Sequence, residues 1–316
     1  MLSLIRNEWG KIFKRVGTYV MLGILILVIG ITGAAIKYND TKSEAASNWK
    51  QELSAQVEGD KQALSQSSDT NRINKGMIEQ NIAINEYRID NNIEPNWNTT
   101  VWTFVETNGF TVTLVGMFAI IVAASIVAGE FSWGTIKLLL IRPISRTKIL
   151  VSKYITVLLY GTTMLAILFV VSLLLGLILF GGADQSIHLA YVDGKVEEQN
   201  IVGYLIKTYL LKTIDVAMVA TMAFMISTVF RSSSLAIGIS LFLLFMGANV
   251  TQLLAIKFDW AKYSLFANTD LTQYTGFTPK MVEGMTMGFS ITMLIIYFII
   301  FQLLAFIVFN KRDVAA

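Results

Sequence analysis

Six long apolar runs constrain the fold of this chain more than any other feature of its sequence. They cover residues 17–36, 110–128, 154–180, 213–230, 234–256 and 286–309. A helix of about 18 residues or more is long enough to cross a hydrocarbon core about 30 Å thick. A soluble fold would instead space its apolar residues at a helix or strand period. The sequence therefore predicts an all-α, polytopic membrane protein with six transmembrane helices, the fourth run being the weakest of the six patterns.

The charges between the runs predict how the chain is oriented. An even number of spans places both termini on one side of the membrane. On that side the acids are Glu8, Glu130 and Asp313, and the cations are Arg6, Lys11, Lys14, Arg15, Lys137, Arg142, Arg146, Lys148, Lys153, Arg231, Lys311 and Arg312. Cytoplasmic connections are enriched in Lys and Arg, so both termini are predicted to be cytoplasmic. The net charge of +3 is then a topology signal, and we expect no nucleic-acid partner.

Two segments outside the runs have helical patterns of their own. Residues 2–15 carry Leu4, Trp9 and Ile12 on one face, which predicts an amphipathic helix lying in the inner headgroup region. A simple charged tail is the alternative. Residues 38–107 form an insertion within a single membrane domain spanning 1–316, and two apolar stripes predict an extracellular helical hairpin there. Because the stripes are thin, partial disorder or stabilisation by a partner is the other interpretation.

The two later outer loops offer little chemistry. Residues 181–202 are acidic and hold the single histidine, His188, in a chain without cysteine. A lone histidine with no second ligand is expected to be a loop residue and not a metal ligand. Residues 257–285 are rich in aromatic side chains, which predicts an interfacial belt with short helices. A lid that contacts a substrate is the alternative.

Sequence motifs for bond-making chemistry are missing. There is no G-x-x-x-x-G-K-[ST] phosphate loop, no H-E-x-x-H and no nucleophile elbow, so we expect no enzyme activity, cofactor or metal. Ionisable residues are rare within the spans, and Lys207, Lys212 and Asp215 lie near the outer end of the fourth. Lys212 and Asp215 are one helical turn apart and can pair. The group is either an interfacial anchor or the polar mouth of a translocation path.

A short basic insert joins the second and third runs. Ser145 is a candidate N-cap of the third helix, yet Arg146 and Lys148 follow in its first turn. Cations there oppose the helix dipole by about 0.3–1 kcal/mol each. Local helix stability therefore does not explain them. Attraction to the inner leaflet, or to an acidic docking surface on a partner, would explain these two cations. The alternative is that they only reflect the enrichment of Lys and Arg in cytoplasmic connections.

In their order along the chain, these features resemble the ABC-2-type transporter permeases. The residues that carry the resemblance are Gly129-Glu130 at the end of a span, Gly134-Thr135-Ile136-Lys137, Leu138–Leu140, Pro143, Ser145-Arg146, Lys153 and the ending Asn310-Lys311-Arg312-Asp313-Val314. The resemblance covers essentially the whole chain and says little about the substrate.

This resemblance implies the non-catalytic membrane subunit of an ATP-driven bacterial exporter, located in the cell membrane. Two permease chains, identical or paralogous, would form the pathway at their interface, and two separate ABC ATPase subunits would bind ATP beneath them. The insert would be the coupling helix docked on the ATPase. Its implied contact residues are Glu130, Trp133, Gly134, Thr135, Lys137, Arg142, Pro143, Ser145 and Arg146.

The scarcity of charge within the spans favours an amphipathic or hydrophobic cargo, such as a peptide antibiotic, a drug or a lipid-linked molecule. Two other functions stay open. One is a sensor or immunity component that binds an extracellular peptide through the 38–107 hairpin. The other is an ion-coupled secondary transporter that uses Asp215 or Glu106.

Overall fold

The computed structural model describes residues 1–40, 48–66, 72–95, 99–132, 134–135, 144–182, 187–276, 278–282 and 284–311. Within these ranges the helices are α1 (Leu2–Phe13), α2 (Val16–Asp40), α3 (Trp49–Gln66), α4 (Arg72–Asp90), α5 (Val101–Thr107), α6 (Val112–Ser132), α7 (Arg146–Phe180), α8 (Ile201–Phe230), α9 (Ser233–Ala255), α10 (Leu265–Asn268) and α11 (Met287–Lys311). Two strands, β1 (Ile187–Val192) and β2 (Lys195–Asn200), lie between α7 and α8, and short 3₁₀ turns cover Asn108–Thr111, Asp259–Tyr263 and Leu271–Tyr274.

Six helical segments of the described chain are long and apolar enough to cross a membrane. They are Val16–Asn39, Val101–Ser132, Arg146–Phe180, Ile201–Phe230, Ser233–Ala255 and Met287–Lys311. The predicted polytopic, mainly helical architecture is confirmed. The second segment joins α5 and α6 through the 3₁₀ turn between them.

The fourth span is longer than its apolar run, because it begins at Ile201 and not near residue 213. The Asn200 side chain caps it by accepting hydrogen bonds from the backbone N–H groups of Val202 (3.0 Å) and Gly203 (3.1 Å). Such a cap satisfies N–H groups that have no partner within the helix. Lys207 and Lys212 lie inside this added stretch, which explains why hydropathy alone misses it.

Helices α6 and α8 form the centre of the bundle. Between them, the Ser227 hydroxyl donates to the Ala124 carbonyl oxygen (2.6 Å) and accepts from the Ala128 N–H (3.1 Å). Most of their residues are buried, whereas α2, α9 and α11 leave large apolar side chains such as Leu27, Leu253 and Leu303 exposed. An exposed apolar surface of this kind suits contact with lipid.

The amphipathic pattern of residues 2–15 does form a helix, α1, and part of its apolar face packs on the third span. Ile12 is buried, and the Phe13 ring lies 4.5 Å from that of Trp9 and 6.1 Å from that of Tyr160 on α7. Helix α1 is therefore held by the bundle itself. We call this end of the molecule, where α1 and the end of α11 lie, the terminal end.

The opposite end, here called the loop end, begins with a pair of helices within the predicted 38–107 insertion. Leu53 and Val57 are buried on α3 and Ile82 on α4. Lys61 on α3 pairs with Glu86 on α4 at 2.7 Å. The two helices predicted from the apolar stripes are present, while part of the predicted break between them lies outside the described residues.

A β-hairpin stands where the sequence suggested only an acidic loop, so the all-α prediction is incomplete at the loop end. Strands β1 and β2 are antiparallel, with Ile187 opposite Asn200 and Val192 opposite Lys195. Asp193 and Gly194 join them with positive φ angles of 48° and 82°. An Asp-Gly pair with both residues in this region makes the type I′ turn that suits the twist of a hairpin.

The last loop contains the short helices that its aromatic pattern predicted. Asn268 in α10 is fully buried. Its amide donates to the carbonyl oxygens of Lys262 (2.8 Å) and Ser264 (2.7 Å), and its side-chain oxygen accepts from Ser290 on α11 (2.8 Å). This satisfied polar core fixes the loop against the sixth span.

Candidate functional site

Four charged side chains meet at the terminal end and form what we call the charge cluster: Glu8, Lys11, Glu130 and Lys153. Lys153 Nζ lies 2.8 Å from Glu8 Oε2 and 3.1 Å from Glu130 Oε1. Lys11 Nζ lies 2.7 Å from Glu8 Oε1 and 3.6 Å from Glu130 Oε1. The cluster thus ties α1 to the end of α6 and to the start of α7.

Burial makes the cluster energetically significant. The Lys153 side chain is 2 % exposed and that of Glu8 is 8 % exposed. Burial raises the pKa of Glu8, but Lys153 and Lys11 outweigh it, and the pKa lies below its ordinary value. Two acids and two lysines balance in charge. Removing one partner of such a buried pair costs about 3–5 kcal/mol, because the other charge stays desolvated.

Helical geometry brings these residues together. Glu130 lies in the last turn of α6, and Lys153 lies about two turns into α7. The segment between the two helices, which we call the elbow (133–145), therefore has a buried ionic contact at its base. The Thr135 hydroxyl, near the start of the elbow, donates to the Glu130 carboxylate.

The residues that the resemblance names in the elbow and beside it fall into two groups, those within the described chain and those outside it. Gly134 has a positive φ of 70°, and Ser145 occupies the N-cap position of α7 without a side-chain capping bond. Glu130, Thr135 and Arg146 also lie within the described chain. Four further residues lie outside it, namely Trp133, Lys137, Arg142 and Pro143. Docking of any of these residues on an ATPase stays a prediction.

The start of α7 and the end of α11 are joined by polar contacts. Arg146 Nη1 donates to the Asn310 carbonyl oxygen (3.4 Å), and Asn310 Nδ2 donates to Thr147 Oγ1 (3.3 Å). Arg146 therefore has a partner within its own chain, in the ending that the resemblance also includes.

Aromatic contacts bring the fourth and sixth spans to the same place. The Arg231 guanidinium lies over the Phe131 ring at 4.7 Å, and the Phe131 and Phe309 rings are 6.5 Å apart. Phe131 directly follows Glu130, so the last turn of α6 contacts several of the spans at once.

The residues predicted at the outer end of the fourth span lie near the loop end. Lys207 is exposed, whereas Lys212 is buried. Asp215 lies near Lys212, and also near Thr269 and Asp270 of the last loop; the pairing of Lys212 with Asp215 stays a prediction. An interfacial anchor and the mouth of a translocation path stay the two interpretations of this group.

A second polar group, half-buried and not predicted from the sequence, surrounds His188. Its ring stacks on Tyr204 at 3.8 Å, and its Nε2 lies 3.9 Å from Glu106 Oε1. Burial, followed by the nearby positive charge of Arg88, lowers the pKa of His188 to about 4. His188 is therefore neutral at pH 7, and its approach to Glu106 is not an ion pair at that pH. The residue is a packed strand residue, where a plain loop position was expected.

The sequence interpretation missed that Glu8 and Glu130 share Lys153 as an ion-pair partner. The available signal was weak: Glu8 is the one acid in residues 1–39, on the helix face next to Ile12, and Lys153 is the last cation before a long apolar run. The β-hairpin had a clearer signal, because Asp193-Gly194 is a common hairpin turn pair.

The whole chain is similar in sequence to known proteins. It matches the family described as "Protein of unknown function (DUF2705)" over residues 74–315. It is 53 % identical over 318 residues to "Uncharacterized protein YhcI" of Bacillus subtilis (strain 168), with 100 % of both chains covered. It is 34 % identical over 202 residues to "Uncharacterized membrane protein YdbK" of the same strain, covering 64 % of this chain and 78 % of that protein. Together with its six apolar helices, these matches identify a multi-pass membrane protein that belongs to the DUF2705 family.

Proposed function

We propose that this chain is the permease subunit of an ATP-driven ABC exporter in the bacterial cell membrane. The observation that carries the proposal is the charge cluster, because it joins both ends of the elbow to the rest of the bundle. The chain has no phosphate-binding loop of its own. Force from ATP hydrolysis would therefore enter from a separate ATPase, through the elbow.

The cluster gives the elbow a rigid base. The contact of Glu130 with Lys153 at 3.1 Å links the second and third spans directly below the elbow. Packed helices move as units and do not deform continuously. A push on the elbow would consequently move α6 and α7 together, and α1 with them through Glu8.

The proposal also includes cytoplasmic termini. The charges on α1 support this orientation. Its acid, Glu8, turns inward to Lys153, while Arg6 and Lys14 are exposed. A helix with outward cations suits the anionic inner leaflet, where each Lys or Arg contributes about 1 kcal/mol. The helix would lie there as the sequence predicted, and the 38–107 insertion would be extracellular.

A second permease chain and lipid would share the exposed apolar faces of α2, α9 and α11. The cargo would be amphipathic or hydrophobic, such as a peptide antibiotic, a drug or a lipid-linked molecule, because the spans expose few charges. A dimer with the pathway at its interface is part of this proposal.

The experiment removes residues 136–140 from the elbow and purifies the tagged chain from its native membranes in mild detergent. The unaltered chain should bring ATP hydrolysis activity into the eluate, and the deletion should abolish that activity while membrane insertion persists. Deleting residues 67–71 at the loop end is the matched control and should leave the activity in place. An eluate of the unaltered chain without ATP hydrolysis, or full activity with the elbow deletion, would contradict the proposal.

The orientation can be checked on the same chain, because it contains no cysteine. Ser145→Cys places a single thiol at the elbow, and Ser54→Cys places one on the exposed surface of α3. A membrane-impermeant maleimide applied to intact cells should label Ser54→Cys only. Labelling of Ser145→Cys under these conditions would reverse the proposed orientation.

A sensor or immunity role is the second candidate, and the contacts of α4 favour it. Tyr87 on α4 lies 3.3 Å from Glu198 on β2, and Gln80 donates to the Gly276 carbonyl oxygen of the last loop at 2.7 Å. A ligand that moves α4 would therefore move the other outer segments. A chain that purifies without ATP hydrolysis activity but responds to such a ligand would fit this role.

A further inference from the structure

A cleft of about 490 Å³ opens at the loop end, where three separate segments of the chain meet. One wall comes from α4, a second from the turn of the β-hairpin, and the third from the loop around residues 273–280. The volume lies within the range of about 300–1,000 Å³ that is usual for ligand pockets.

Two polar contacts join the walls of the cleft to one another. Gln80 Nε2 on α4 donates to the Gly276 carbonyl oxygen at 2.7 Å. Lys280 Nζ of the last loop lies 2.6 Å from Asp193 Oδ1 in the hairpin turn. The third wall is therefore joined to each of the other two by contacts within the chain itself.

Two glycines show how closely the walls approach one another at the edges of the cleft. A Cβ at Gly76 on α4 would lie 2.7 Å from Cβ of Pro279, closer than side chains pack. A Cβ at Gly276 would lie 2.9 Å from the Tyr191 carbonyl oxygen, and φ at this residue is +80°. Only glycine fits such an approach of backbone to backbone without strain. The edges of the cleft are thus closely packed.

The lining combines balanced charge with apolar surface. Lys75 and Lys280 stand against Glu79 and Asp193, while the rings of Tyr191 and Tyr274 and the side chains of Val192 and Pro279 supply apolar area. A phosphorylated ligand would need an excess of cations, and a divalent cation would need several acids free of lysine. Neither condition is met by this lining.

We propose that this cleft binds a short, extended peptide segment. Peptide amides can bond to the mixed acids, lysines and amides of the walls, and side chains of the peptide can pack on the tyrosines and Pro279. Because the three walls belong to different outer segments, a bound peptide would connect all of them. The proposal does not depend on the ATP-driven function and depends on the proposed orientation only for the side from which the peptide comes.

The test uses the full chain in lipid nanodiscs, without ATP or any partner. A single cysteine at Lys195→Cys, beside the hairpin turn, carries an environment-sensitive fluorophore, and the same label at Ser54→Cys on α3 is the control. The probe is a pool of end-capped hexapeptides of random sequence. We expect a saturable fluorescence change at position 195 and none at position 54.

A filling variant shows whether the response comes from the cleft. Glu79 is an exposed residue of the α4 wall, so Glu79→Trp should occupy the cleft and weaken the response at least about tenfold. Glu58→Trp, an equally exposed position on α3, should leave the response unchanged. Thermal unfolding of both variants checks that they fold, and Thr278→Trp on the opposite wall is the second filling variant.

Three results would overturn the proposal. The first is no saturable response to the peptide pool at about 1 mM, the weak end of measurable affinity. The second is a response that both filling variants leave unaltered. The third is saturation by maltohexaose but not by peptides, which would make the cleft a glycan site. None of these results bears on the elbow deletion, so a failure here is distinguishable from a failure of the ATP-driven function.

Discussion

Two lysine–glutamate pairs at opposite ends of the molecule look alike in geometry and differ in surroundings. Lys153 and Glu8 at the terminal end approach to 2.8 Å, with side chains that are 2 % and 8 % exposed. Lys61 and Glu86 at the loop end approach to 2.7 Å, with side chains that are 51 % and 45 % exposed. Distance alone would rank the two pairs equally.

Solvent makes the difference between them. Water and salt screen an exposed pair, and many such pairs contribute nothing measurable to stability. A buried pair has lost its hydration, so each charge depends on the other and on further hydrogen bonds. The charge cluster is therefore a structural connection between α1, α6 and α7, whereas the pair between α3 and α4 is a surface contact.

The largest expected effect comes from removing the central cation of the cluster. Lys153→Met keeps the length of the side chain but leaves Glu8 and Glu130 close together without their buried cation, and the partly exposed Lys11 is then the one lysine of the charge cluster beside them. We expect the variant to lose about 3–5 kcal/mol of stability. Thermal unfolding in detergent, followed by tryptophan fluorescence, measures this as a lower midpoint.

A triple variant separates charge from packing at the same place. Lys153→Met combined with Glu8→Gln and Glu130→Gln removes all three charges and should recover part of the lost midpoint, because the two carboxylates that Lys153 neutralised are then uncharged as well. A single Lys153→Met variant that unfolds at the temperature of the unaltered chain would show that the buried pair and the exposed pair are energetically alike.

An intermediate effect is expected on acidification, and it should weaken the loop end first. Burial and Arg88 hold the pKa of His188 at about 4, below its ordinary value of 6.5. Its neutral ring is therefore compatible with full stability of the fold above pH 6.5, and the free energy of unfolding decreases as the pH falls from 6.5 to 4. Linkage places the loss at about 2 kcal/mol at pH 5. The pKa of Glu8 is lowered from 4.5, so the contribution of the cluster is present above pH 4.5 and lost only below it.

His188→Phe tests this assignment, since phenylalanine can keep the stacking on Tyr204 but cannot take up a proton. Between pH 7 and pH 5, the unfolding temperature of the unaltered chain should decrease more than that of the variant. Equal losses in the two proteins would place the acid sensitivity elsewhere.

The smallest effect is expected at the exposed pair. Lys61→Met removes the partner of Glu86, yet both groups are already hydrated, and the unfolding midpoint should not change measurably. The same measurement as for Lys153→Met applies, which makes the two variants a matched pair. A large decrease for Lys61→Met would mean that the α3–α4 contact carries more stability than its exposure indicates.

Much of the membrane architecture was predictable from residue patterns. The six apolar runs correspond to the six candidate spans, and the period of Leu4, Trp9 and Ile12 corresponds to α1. The hydropathy pattern failed at two places where polar side chains and turn residues determine the local secondary structure. Asn200 extends the fourth span by capping it, and the Asp193–Gly194 turn forms a hairpin inside an acidic stretch.

The candidate site was predictable only in part. The position of Glu130 at the end of a span and next to a basic segment singled it out, but its partners lie 23 residues away on Lys153 and far back along the chain on Lys11. Charges this distant in sequence give no periodic signal. Their meeting depends on how α1, α6 and α7 pack.

Local composition predicts six candidate membrane helices and an excess of Lys and Arg over acids on the side of the termini, because transfer of apolar side chains and of charge into lipid depends on that composition. The tertiary structure is needed to see which charges are buried together and that three segments of the loop end enclose a cleft. Both depend on contacts between distant segments, whose energies arise from desolvation and close packing and cannot be read from any one stretch of the chain.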